Sequence, residues 1–79
     1  MEAEVLKKIQ KKLQKSILTA INNGHYGYTC IYEGDCYYRP EEYYVILNNK
    51  QYLLEYYKSL GYNIRIMDTR TKVSIEISW

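Results

Sequence analysis

Apolar residues recur with a helical rhythm at the start of the chain. Leu6, Ile9, Leu13, Ile17 and Ala20 fall three or four apart, and Val5 and Ile21 widen the stripe. This spacing predicts an amphipathic helix over residues 2–22. Glu2 and Glu4 suit its first turn, where the helix dipole favours acid. Asn22-Asn23-Gly24 is a stop, because glycine adopts the left-handed conformation that closes helices. Residues 25–32 (His-Tyr-Gly-Tyr-Thr-Cys-Ile-Tyr) are rich in β-forming types and predict a first strand, with Tyr26, Tyr28, Cys30 and Tyr32 on one face. Glu33-Gly34-Asp35 reads as a turn.

Residues 40–60 read in two ways. Pro40-Glu41-Glu42 opens a helix well, since proline is tolerated at the first helical position and acids suit the next two. Tyr43, Ile46, Leu53, Tyr57 and Leu60 then fit one continuous helical stripe, interrupted by Lys50. Against this, Tyr43-Tyr44-Val45-Ile46-Leu47 is as strong a strand sequence as the chain contains. Asn48-Asn49 would then be a turn before a shorter helix over 49–60. The continuous helix is the preferred reading, and Gly61 ends it either way.

Beyond Gly61, Tyr62, Ile64 and Ile66 alternate with Asn63, Arg65 and Met67. Val73, Ile75, Ile77 and Trp79 alternate in the same way with Lys72, Ser74, Glu76 and Ser78. These are two half-buried strands, joined through Asp68-Thr69-Arg70-Thr71 into a β-hairpin. The order α-β-α-β-β predicts a single α+β domain, with an antiparallel sheet of three or four strands and two helices packed on one face.

At 79 residues the chain has room for one domain and not for two. A domain of this size buries only about 60–65% of its unfolded surface, and such thin cores are often reinforced by disulfides, metals or self-association. A homo-oligomer is therefore expected. The terminal strand ending in Trp79 is its expected seam, because an uncovered edge can pair with its copy. An apolar fraction of 47% argues against disorder. A net charge of +2 is too small on its own to indicate nucleic acid. No stretch approaches the ~18 apolar residues of a membrane span, and Met1-Glu-Ala-Glu carries acid where an export signal needs base. A soluble cytoplasmic protein without a membrane partner is expected. Cys30 and Cys36 then read as free thiols, with a bridge across the turn as the alternative. Together with His25 they fall short of a four-ligand zinc site, and no metal or other cofactor is expected.

Tyrosine changes the picture. There are eleven, with one Trp and no Phe. Each buried phenol needs a partner for its hydroxyl, so several must be exposed, and exposed tyrosine is enriched at interaction surfaces. The plainer reading is that Tyr replaces Phe in an AT-rich genome. Tyr26, Tyr28, Tyr32, Tyr37, Tyr38, Tyr43 and Tyr44 are the candidate binding residues, as a platform for a nucleotide-like ligand or for a protein. Arg39 beside them supplies a planar cation for phosphate or carboxylate. Lys7, Lys8, Lys11, Lys12 and Lys15 on the polar side of the first helix are candidate phosphate contacts. Their plainer reading is a solvated face, and no arginine, the usual reader of base edges, sits in that run. The acids Glu33, Asp35, Glu41 and Glu42 lack the ligand spacing of a calcium loop.

Catalysis finds little support. His25 and Cys30 would point to opposite faces of a regular strand, and no third group orients them. Neither a phosphate-binding glycine loop nor a nucleophile elbow is present. A pocket of ~300 Å³ is also hard to enclose in so short a chain.

The segment Leu53-Leu54-Glu55-Tyr56-Tyr57-Lys58-Ser59-Leu60-Gly61-Tyr62-Asn63-Ile64, followed by a hairpin closing Ile75-Glu76-Ile77-Ser78-Trp79, resembles small proteins encoded by bacteriophages and prophages of Gram-positive bacteria. Their first helix often ends in Ala-x-x-x-Gly, here Ala20 to Gly24. The likeness covers about half of the chain and rests on cap glycines and core residues, with no catalytic residue to carry over. Residues 32–49 depart from it as an insertion, which marks them as the carrier of individual function. The resemblance implies either a host-takeover or anti-defence factor that binds a host protein or ligand, or a minor assembly or DNA-associated protein. The leading reading is a non-enzymatic factor of the first kind that binds a host protein through its Tyr-rich surface. The alternatives are an oligomer that sequesters a nucleotide-like small molecule, and a weak nucleic-acid binder using the lysines of the first helix.

Overall fold

In the computed structural model, which describes residues 2–34 and 37–79, six elements follow one another along the chain. They are helix α1 (Glu2–Asn22), strand β1 (Gly27–Glu33), helices α2 (Glu41–Asn48) and α3 (Lys50–Ser59), and strands β2 (Asn63–Asp68) and β3 (Lys72–Ser78). The α+β architecture is the one the periodicities predict, with a three-stranded antiparallel sheet. Both long helical segments end alike. The His25 amide bonds the Ala20 carbonyl at 2.9 Å and the Tyr62 amide bonds the Tyr57 carbonyl at 3.1 Å, over glycines at φ +78° and +91°. This closes each helix and turns the chain into a strand.

Residues 43–47 are helical, so the strand alternative for them is overturned. The preferred continuous helix is itself broken at Asn49, where φ and ψ are −118° and 21°. The Asn49 side chain donates back to the Val45 carbonyl at 2.8 Å, a local bond that competes with helix propagation. The break lets α2 bury Tyr43, Val45 and Ile46 while α3 buries Leu53 and Tyr57.

The strand order is β1-β3-β2. The terminal strand is therefore central, and the expectation that it offers a free edge near Trp79 is overturned; the free edges belong to β1 and β2. β3 carries the densest apolar alternation in the chain, and only the central position covers it from both sides. In register, Tyr28, Ile77 and Ile64 form one row, and Cys30, Ile75 and Ile66 the next. This face meets Ile9, Leu13 and Ile17 of α1 and the buried residues of α2 and α3 in one core cluster. On the opposite face, Arg65 pairs with Glu76 at 2.8 Å, and Ser74 is covered between Ile31 and Met67.

Leu13 has no exposed surface. Leu13→Ala is expected to lower stability by roughly 2–5 kcal/mol through the cavity it leaves. Tyr43→Phe, which deletes only a hydroxyl bonded to the Thr69 carbonyl at 2.7 Å, should cost about 0.5–1.5 kcal/mol. Urea midpoints at an unchanged slope check both values.

Candidate functional site

Strand β1 delivers the following segment to the end of the sheet where β2 turns into β3. Three bonds tie this segment and the first turn of α2 to the loop between β2 and β3. The Gly34 amide donates to the Thr71 carbonyl at 2.7 Å, Arg39 Nη2 donates to the Arg70 carbonyl at 3.0 Å, and the Tyr43 hydroxyl donates to the Thr69 carbonyl at 2.7 Å. The Arg39 guanidinium also lies 4.7 Å from the centre of the Tyr43 ring, a cation–π contact. At Gly34 the chain passes so close to itself that a Cβ would stand 2.9 Å from the Tyr38 carbonyl oxygen. Outward from this tied segment stand Tyr37, 95% exposed, and Tyr38, 70% exposed. Tyr44 is half exposed and meets the buried Tyr43 ring edge-on at 5.8 Å.

The other tyrosines singled out from the sequence do not join this cluster. Tyr43 is a core residue, 1% exposed, rather than a surface contact. Tyr28 and Tyr32 point from β1 toward the helices and are half-buried. Tyr26 precedes β1 and lies at its opposite end, roughly 20 Å away at the rise of an extended strand. Burial, reinforced by the neighbouring Cys30 thiol, pushes the Tyr32 hydroxyl well above its ordinary range. Cys30 is a free, buried thiol, and His25 is exposed beyond the strand. The acid expected at Asp35 and the thiol of Cys36 lie outside the described residues. Among the described residues no three of His, Cys, Asp and Glu gather as a metal site, and no helix is long and apolar enough to cross a membrane.

The lysines of α1 are divided among three settings. Lys12 lies 4.9 Å from the centre of the Tyr32 ring. Lys15 borders a depression of about 360 Å³ with Thr19, Asn23, His25 and Tyr28. Lys7, Lys8 and Lys11, with Gln10 and Gln14, line an open groove of about 500 Å³ whose far wall is Tyr56 and Tyr57 of α3. Open space of that size is available although nothing encloses it. The ion pairs among the described residues are Lys50–Asp68 and Arg65–Glu76, so none of the five α1 lysines has a carboxylate partner there.

Tyr52, Tyr56 and Tyr57 are not among the site residues the sequence singles out. Their rings form a chain, with Tyr52 and Tyr56 centred 6.0 Å apart and Tyr56 meeting Tyr57 edge-on at 5.1 Å. The available signal was the four-residue spacing of Tyr52 and Tyr56 beside the apolar stripe. Tyr57 is 1% exposed. Its hydroxyl has no hydrogen-bond partner among the described residues, where no polar side-chain atom is both fully buried and unpartnered. The hydroxyl therefore keeps a small contact with solvent, and Tyr57 is among the residues that line the groove. Burial pushes this hydroxyl up to about 12, with smaller contributions from Tyr56, Tyr52 and Tyr62.

No protein-family model, curated protein or solved structure matches the chain.

The Tyr57 shift carries a sign for stability. The folded chain keeps this proton where the unfolded chain, titrating near 10.0, has lost it. Stability is therefore expected to fall as pH rises from about 10 to about 12. Urea titrations at about pH 9 and about pH 11.5 measure the fall, and Tyr57→Phe should remove this part of it.

Proposed function

We propose that the chain is a non-enzymatic binding protein that engages a host protein through Tyr37, Tyr38 and Tyr44 together with Arg39. The context proposed with it is that of a phage-type host-takeover or anti-defence factor working in the host cytoplasm. The observation that carries this reading is the exposure of two adjacent rings, at 95% and 70%, on a segment tied to the hairpin loop. Rigid aromatic side chains offer large contact area at low conformational cost, and Tyr and Arg are enriched where interfaces gain most of their energy. A loop already held by its own bonds loses less entropy on docking. Arg39 and the exposed Arg70 at the same end favour a partner surface that presents carboxylates. Self-association forms part of the same proposal, with the edges of β1 and β2 as its available seams.

The Tyr37→Ala/Tyr38→Ala double variant, folded as judged by an unchanged melting temperature, is expected to lose a cross-linked host-protein partner by about tenfold or more. Tyr26→Ala, at the far end of β1, should retain it. The contact should also survive a rise from roughly 50 to 200 mM salt, over which phosphate-driven binding falls steeply. Equal capture of the same proteins by the native chain and the double variant would overturn the reading.

A further inference from the structure

The groove between α1 and α3 combines three features that together fit one ligand. The first is charge. Lys7, Lys8 and Lys11 border it without a carboxylate partner among the described residues. Glu2 accepts from Asn48 and Asn49, and Glu55 accepts from Gln51, while Glu4, in the first turn of α1, forms no ion pair among the described residues. The second is an aromatic face. Tyr56 is 41% exposed at the groove wall, with the Tyr52 ring tilted beside it and the Tyr57 ring edge-on to it. The third is Tyr57, which lines the same groove at 1% exposure and whose hydroxyl has no hydrogen-bond partner among the described residues. Gln10 and Gln14 add amides that both donate and accept.

We infer that this groove binds a small aromatic phosphate of the mononucleotide class, its ring lying on Tyr56 and its phosphate held by Lys7, Lys8 and Lys11. Lysine is a point-charge partner for phosphate, and any base can stack on an aromatic face. A volume of about 500 Å³ lies within the range of small-molecule sites. The Tyr57 hydroxyl and the two glutamine amides would meet the polar edge of the base. A tyrosine hydroxyl is protonated through the physiological range, so it is available as a donor. A nucleic-acid strand fits less well, because the lysine row is not a continuous track. Lys12 is turned to Tyr32 and Lys15 borders a different depression. The site stands apart from the Tyr37–Tyr38 segment and does not depend on what that segment binds.

The test is an amide chemical-shift titration of the isotopically labelled protein with AMP, adenosine, inorganic phosphate and an oligothymidylate, each alone. AMP is expected to shift residues 7–14 and 52–57 with a dissociation constant below about 1 mM. Adenosine and phosphate should each bind at least about tenfold more weakly than AMP. Tyr56→Ala and the Lys7→Gln/Lys11→Gln double variant should each weaken AMP by about tenfold. Tyr57→Phe, which keeps the ring, should weaken it by about threefold. Tyr56→Leu keeps an apolar side chain without a stacking face, and serves in place of Tyr56→Ala if that variant unfolds. Absence of groove shifts at about 5 mM AMP overturns the site. So does inorganic phosphate matching AMP, which would reduce it to a lysine patch. Tighter binding of the oligothymidylate, with shifts spreading to Lys12 and Lys15, overturns it in favour of a nucleic-acid track.

Discussion

The chain has no phenylalanine, so each large ring at the centre of its core brings a hydroxyl that has to be bonded or wetted. Tyr43 and Tyr57 are both 1% exposed and meet this demand in opposite ways. The Tyr43 hydroxyl reaches the Thr69 carbonyl at 2.7 Å and so ties α2 to the hairpin loop, with Arg39 lying over the same ring. The Tyr57 hydroxyl has no protein partner among the described residues and keeps a small contact with solvent, and Tyr57 lines the groove beside α1. Leaving either hydroxyl dry and unbonded would cost about 1–3 kcal/mol. The bond to Thr69 avoids that cost for Tyr43, and contact with solvent avoids it for Tyr57.

Much of the fold was legible in apolar spacing. Leu6 to Ala20 define α1, and the alternations through Ile64 and Ile75 define the hairpin, because each pattern matches one period and no other. Residues 43–47 were ambiguous for a physical reason. Their side chains favour a strand locally, while burial of Tyr43, Val45 and Ile46 against the sheet rewards a helix. Tertiary packing decides such a contest, and a single sequence does not display it. The break at Asn49 depends on one short side-chain bond, which leaves no periodic trace. Strand order was hidden for a related reason: alternation tells which face of a strand is buried but not which neighbours it has.

The candidate surfaces were legible only in part. An excess of tyrosine requires that some be exposed, and Tyr37 and Tyr38 are. Which rings the core would take could not be read from composition, and Tyr43 went inward. The lysines of α1 look uniform along the helix, but each acquires its meaning from what lies opposite. Tyr32 faces Lys12, while Tyr56 and Tyr57 face Lys7, Lys8 and Lys11. That division is a property of packing between distant segments and is invisible at the level of one helix.

The central place of β3 also sets a timetable for synthesis. β1 pairs only with β3, and its last residue, Glu33, lies opposite Lys72. About 40 further residues must therefore be added before the first strand meets its partner, a wait of roughly 2–8 s at ribosomal rates of about 5–20 residues per second. Helix α1 and the α2–α3 segment can form meanwhile from local contacts, but their apolar faces have no sheet to cover. The nascent chain thus carries Cys30 and a row of unpaired strand amides through that interval, and closure comes in one late step when the middle of the sheet arrives.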